Sequence, residues 1–204
     1  HDAGVCVYAG FLNQAITFKM TGGTIAGNKS DNAEGGGLRI SSGTTGVIEA
    51  ASASSKVYIT NNKTMTGSTN GRGGDWGGGG VFIQKGGRLN IFKTLITNNR
   101  AGGWGGGIGA CPTGQTIVSH SNGAAIYGNK DNVDQDGNPL GTYHYSAGGN
   151  NKNEDHDEKN YVTPLFQTSG HKDFFLVRNK DGADKTIAVV LGKMLGGGDA
   201  KYSG

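Results

Sequence analysis

The chain has 204 residues, and 40 of them are glycine, roughly a fifth against a usual ~7%. Only 3 are proline and they follow no triplet period, which excludes collagen and proline-rich disorder. The formal charge of +3 comes from mixed signs and announces no nucleic-acid partner, and no stretch approaches the ~20 apolar residues that a membrane span needs.

Read from its start, the chain opens His1-Asp2-Ala3 with no basic-then-apolar leader, so either a leader is removed or the chain is a piece of something longer. Gly4-Val5-Cys6-Val7 is a glycine followed by a short apolar strand, and residues 16–20 alternate Ile16, Phe18 and Met20 with polar neighbours. Ile25-Ala26-Gly27-Asn28-Lys29 then closes a first unit. The same order returns as Gly35-Gly36-Gly37-Leu38-Arg39-Ile40, a strand over 47–49, and Ile59-Thr60-Asn61-Asn62-Lys63. After an insertion at 64–77 it returns again as Gly78-Gly79-Gly80-Val81-Phe82-Ile83, 89–92 and Ile96-Thr97-Asn98-Asn99-Arg100. A fourth round runs from Gly105-Gly106-Gly107-Ile108-Gly109-Ala110 to Ile126-Tyr127-Gly128-Asn129-Lys130. Residues 131–160 read as a polar loop excursion, and 161–204 as a final coil or cap, with strand-like runs at 174–177 and 187–191 and a faint copy of the asparagine signature at Leu176-Val177-Arg178-Asn179-Lys180.

Each unit therefore offers three strands of period two and no helical period. Such a unit cannot bury its own inner face, whereas stacked units can, each strand pairing in parallel with its counterparts above and below. The expected fold is all-β: a right-handed parallel β-helix, a single-stranded solenoid with three short strands per coil, its coils filling 1–130. Glycine supplies the positive φ and close approach that narrow turns require. An asparagine at a fixed turn position tolerates the left-handed conformation and, repeated every ~4.8 Å, forms a side-chain amide ladder. Asn28, Asn62, Asn99 and Asn129 are expected to form that ladder.

The run Thr-Gly-Gly-Thr-Ile-Ala-Gly-Asn at 21–28, followed by Gly-Gly-Gly-Leu at 35–38, resembles the repeats of bacterial surface β-helix proteins: the polymorphic outer-membrane proteins of chlamydiae and repeat-rich surface proteins of gut bacteria. Ile or Leu mostly replaces the Phe of the first group, as in the gut-bacterial variety. The resemblance covers about 1–130 well and 161–204 poorly. It implies an extracellular or cell-surface location in a bacterium. Its repeats occur in adhesins, autotransporter passengers and some carbohydrate-active enzymes, so it speaks to fold more than to function.

Several residues are candidates for chemistry. Cys6 and Cys111 are even in number, yet they fall about three rungs apart, on the order of 14 Å, beyond the ~7 Å that a disulfide allows, so both are expected to be free thiols. The outward positions by alternation are Cys6, Arg39, Phe82 and Gly109 on one strand column, and Thr17, Lys19, Asn90 and Phe92 on the next. Neither column carries the carboxylate pair of a glycosidase, although loops can supply one, for instance Glu34 with Asp75. Asn132, Asp134 and Asp136 fit the opening of a calcium loop, with Tyr143 where its last acid belongs, and an Asp-Gly turn is the plainer reading. The run Glu154-Asp155-His156-Asp157-Glu158 reads as a charged surface loop. Trp76 and Trp104, each just before a glycine run, form either a stacking platform for sugars or a packing cover.

Each ladder asparagine is followed by a base: Lys29, Lys63, Arg100 and Lys130, with Lys180 after the faint copy. Stacked, these make a row of like charges that splays, pairs with acids such as Asp31, Asp131 and Asp181, or meets an anion, for instance an acidic glycan. The leading functional expectation is a structural, adhesive segment of a bacterial surface or secreted protein, contacting glycans, matrix or other surface proteins. A carbohydrate-active β-helix enzyme, or part of one, and a subunit that self-associates end to end into a filament are the alternatives. No cofactor is expected beyond calcium. Both ends look interrupted, which points to a larger protein or a capping partner.

Overall fold

The computed structural model describes residues 3–10, 15–31, 33–52, 54–64, 77–84, 86–103, 105–110, 115–119, 123–131, 133–134, 136–138, 172–176 and 189–191, of which 115–119, 176 and 189–191 as backbone. Strand is the only regular element among them, and no helix there is long and apolar enough to cross a membrane. Five successive units supply the strands. The first gives β1 (Val5–Val7), β2 (Ile16–Met20), β3 (Gly23–Ala26) and β4 (Lys29–Ser30). The second gives β5 (Leu38–Ile40), β6 (Thr44–Glu49), β7 (Val57–Thr60) and β8 (Lys63–Thr64). The third gives β9 (Val81–Ile83), β10 (Arg88–Phe92), β11 (Thr94–Thr97) and β12 (Arg100–Ala101). The fourth gives β13 (Ile108–Ala110), β14 (Gln115–Ser119) and β15 (Ala125–Tyr127), and the fifth β16 (Phe174–Leu176) and β17 (Val189–Leu191).

All strands pair in parallel, and each pairs only with its counterparts in adjacent units. The four sheets run β1-β5-β9-β13-β16, β17-β14-β10-β6-β2, β15-β11-β7-β3 and β12-β8-β4. The fourth sheet is an addition to the three strands per unit that periodicity marks. Its strands are two residues long, too short to show alternation, and each turns its second residue inward, so Ser30, Thr64 and Ala101 are buried.

Register stacks like on like. Val5, Leu38, Val81, Ile108 and Phe174 form one inward column, and Ile25, Ile59, Ile96 and Ile126 another. These columns build one continuous apolar core. A strand that buries one face needs apolar residues only at every second position, which is how a chain with 34% hydrophobic residues fills such a core.

Two expectations need correcting. Phe82 was assigned to an outward position, and alternation does set it on the face of β9 opposite Val81 and Ile83. It is nonetheless fully buried, as is Phe175 in the same column on β16. Both faces of this sheet are therefore covered there, and the column is closed to solvent from the third unit onward rather than open along its length. The second correction concerns the left-handed residue of the asparagine turn. It is not the ladder asparagine but the residue before it: Gly27, Asn61, Asn98 and Gly128 have φ of 73°, 55°, 56° and 68°. Glycine and asparagine are the two residues that enter this region at least cost, which explains why only they occupy the position.

Candidate functional site

The side chains that follow each left-handed residue form two adjacent columns, one buried and one facing out. In the buried column, Asn28 Nδ2 donates to Asn62 Oδ1 at 2.9 Å, Asn62 Nδ2 to Asn99 Oδ1 at 3.0 Å, and Asn99 Nδ2 to Asn129 Oδ1 at 3.0 Å. The same Oδ1 atoms accept the backbone N–H of the preceding asparagine at 3.1, 3.0 and 3.0 Å. The second amide hydrogen goes to a backbone carbonyl of the unit before, Ile25 for Asn62 and Ile59 for Asn99, both at 2.9 Å. Asn62 and Asn99 are fully buried with every amide group satisfied, the condition under which a buried polar residue stabilises rather than costs.

The glycine run before each unit's first strand makes room for this column. In the third unit Gly78 has φ of 70°, a Cβ on Gly79 would collide with the Arg100 carbonyl, and one on Gly80 would stand 2.8 Å from Asn99 Nδ2. Three consecutive glycines thus have three separate reasons. In the fifth unit the seat of the third glycine holds Asp173, as the pairing of Ile108 with Phe174 requires. Its Oδ1 accepts both the backbone N–H and Nδ2–H of Asn129 at 2.9 Å. A side chain grown from the glycine seat fills the space an asparagine would occupy, and the amide column ends on a carboxylate.

The outward column is basic. Parallel pairing sets Lys29 beside Lys63, Lys63 beside Arg100, and Arg100 beside Lys130. Neighbouring strands lie about 4.8 Å apart, and cations held at that spacing would repel by on the order of 1 kcal/mol even in bulk water unless their long side chains splay. Among the described residues the row is neutralised in part. Lys29 pairs with Asp31 at 2.7 Å, and Arg100 donates to the Asp136 carbonyl at 3.1 Å while lying against Gly137. Among the described residues Lys63 and Lys130 have no ion pair. Lys180 and Asn179 lie outside the described residues.

Of the calcium-loop candidates, Asn132 lies outside the described residues. Asp134 is engaged by N–H donors: its Oδ1 accepts from the backbone of Asp136 and Asn138 at 2.9 and 2.8 Å, and Oδ2 from Asn138 Nδ2 at 3.0 Å. These bonds, that of the Asn138 side chain first, hold its pKa below the ordinary aspartate value. A cation at this turn would have to displace those donors with the Arg100 guanidinium alongside. No group of three or more potential metal ligands occurs among the described residues. Trp76, Trp104, Cys111, Asp75 and the run at 154–158 lie outside them; Cys6 is an exposed free thiol.

One group that spacing does not mark is the half-buried pair beside Phe82. The Arg39 guanidinium lies 3.7 Å from the Glu34 carboxylate and 5.7 Å from the centre of the Phe82 ring. Burial raises the Glu34 pKa above the ordinary value, and the Arg39 charge opposes this without cancelling it. No family model matches the chain, and no curated protein or solved structure matches it significantly.

Proposed function

We propose that the chain is a right-handed parallel β-helix, a single-stranded solenoid that serves as a structural and adhesive segment of a bacterial cell-surface or secreted protein. Its contact edge is the basic row, and its ligands are acidic glycans of a host or matrix surface. The observation that carries this reading is the in-register run of Lys29, Lys63, Arg100 and Lys130 with two of its four cations unpaired among the described residues. A linear polyanion meets such a row better than any small anion does, because each successive charge finds a cation one rung further on. The hydrogen-bonded asparagine column behind the row supports the same reading, since it fixes the backbone from which the basic side chains project.

Binding of an acidic polysaccharide tests it. Affinity should fall steeply as salt rises, and the double variant Lys63→Gln with Lys130→Gln should weaken binding by tenfold or more while a neutral polysaccharide stays unaffected. Affinity indifferent to salt, or unchanged in that variant, overturns the assignment.

A carbohydrate-active enzyme is the second reading, and the half-buried Glu34 is what favours it. A carboxyl group whose pKa is raised by burial is biased toward the role of a general acid. Turnover of a glycan polymer that disappears in Glu34→Gln would support it.

A further inference from the structure

The sheet of β3, β7, β11 and β15 runs up to the turns that carry the basic row. None of its strands holds a charged residue. Its inward positions carry the isoleucine column, and two tyrosines stand at outward positions, Tyr58 on β7 and Tyr127 on β15. Tyr58 is half-buried and Tyr127 is 56% exposed. Each shares its unit with a cation that has no ion pair among the described residues, Tyr58 with Lys63 in the second unit and Tyr127 with Lys130 in the fourth. The first and third units differ in both respects. Their outward residues on this sheet are Thr24, Ala26, Leu95 and Thr97, and their bases are engaged, Lys29 by Asp31 and Arg100 by the Asp136 carbonyl. The ladder also fixes the turn that joins the two sets of side chains. Asn129 Nδ2 donates to the Tyr127 carbonyl at 3.2 Å, and the Lys130 N–H donates to the Asn99 carbonyl at 2.9 Å, so the backbone is pinned on both sides of the corner.

We infer that Tyr127 and Tyr58 are sugar-stacking positions of the same contact edge, and that its ligand is a linear glycan with a carboxylate on every second sugar. This rests on the reading of the basic row as a glycan contact. A pyranose ring has an apolar C–H face, which packs on an aromatic ring while the polar groups at its rim stay in water. A charge-free strip beside a line of cations suits a ligand that is apolar on one face and acidic at its edge. Tyrosine and unpaired lysine recur together at every second unit, about 10 Å along the stack, the length of two sugars rather than one. On a polymer charged at every sugar, the intervening carboxylates would fall at the first and third units. There they meet Asp31, or the turn that already holds the Arg100 guanidinium, and lose water with no unengaged cation in return. The two tyrosines are not equivalent. Tyr127 ends β15 beside the turn, whereas Tyr58 lies further from it, in the column of Leu95 and Ala125, so Tyr127 is the stronger contact.

The full chain is titrated with hyaluronan, which carries one carboxylate per disaccharide, and with polyglutamate, which carries charge without sugar. Hyaluronan should bind saturably, lose about fivefold in Tyr127→Ala, keep its affinity in Tyr127→Trp, and lose a smaller factor in Tyr58→Ala. Polyglutamate should bind all three variants as it binds the original chain. Per carboxylate, hyaluronan should bind more tightly than polygalacturonate, which is charged at every sugar. Four results overturn the assignment: no saturable hyaluronan binding, a Tyr127→Ala chain that binds hyaluronan like the original, an equal loss for hyaluronan and polyglutamate, or polygalacturonate as tight per carboxylate. The basic row survives each of them as long as Lys63→Gln with Lys130→Gln still weakens polyglutamate. Loss of that dependence overturns the row, and the stacking positions with it.

Discussion

The first unit and the third carry nearly the same signature and occupy different environments. In the third, Asn99 and Ile96 are wholly buried and Leu89 and Ile91 of β10 see no solvent. In the first, Asn28 is half-exposed, and the inward residues of β2, Phe18 and Met20, remain half-exposed too. The residue types are alike, and what differs is the presence of a unit on both sides. Burial in this fold is conferred by the neighbours above and below, so the same asparagine is indispensable in one unit and dispensable in another.

The largest test of that contrast is alanine at the two asparagines. Asn99→Ala strands the Asn62 N–H and one of its two amide hydrogens inside the protein and takes the Nδ2 donor from Asn129 Oδ1 and the Ile59 carbonyl, and should cost about 3–5 kcal/mol. Asn28→Ala, at the open end, should cost about 1 kcal/mol. Urea unfolding of both variants measures the difference, and equal losses would show that burial does not depend on the neighbouring units. Next in size is the glycine seat. Gly80→Ala drives a methyl group against Asn99 and should destabilise by about 1–3 kcal/mol, whereas Gly22→Ala, whose new methyl meets only Ser55 Cβ at 3.9 Å, should stay within about 0.5 kcal/mol of the original. Comparable melting temperatures for the two would dissolve the distinction.

A smaller effect separates the covered and open parts of the first sheet. Glu34 has a folded pKa above its unfolded one, so the native state binds its proton more tightly. Stability from this group is complete below the ordinary glutamate value and declines as pH rises through the raised one. Glu34→Gln should flatten stability against pH across that window and leave the chain at least as stable at neutral pH. A slope that persists in the variant assigns the dependence to another group.

Much of this architecture is written in the repeats. The glycine runs and the asparagine signature mark which residues share a column, because a stacked unit imposes the same steric demand at the same place each time. Four features escape such reading. The strands β4, β8 and β12 are too short to carry a period. Alternation assigns Phe82 to a face but says nothing about what covers that face. Asp173 has no asparagine signature around it, since it stands in a glycine seat ahead of Phe174-Phe175-Leu176, while the faint copy that draws the eye is at Asn179. The basic row was legible because each base follows its asparagine directly. The Glu34–Arg39–Phe82 group was not, because its members meet across two units rather than at any fixed spacing.

The pairing of every strand with a counterpart in the next unit, never with its neighbour in the chain, has a mechanical side. The backbone hydrogen bonds between units lie along the direction in which units are piled, so tension applied there opens them a rung at a time instead of shearing a whole sheet at once. Each released unit would pay out on the order of 100 Å or more of slack chain. A stack built this way yields in instalments under load, lengthening step by step while the remaining units stay folded.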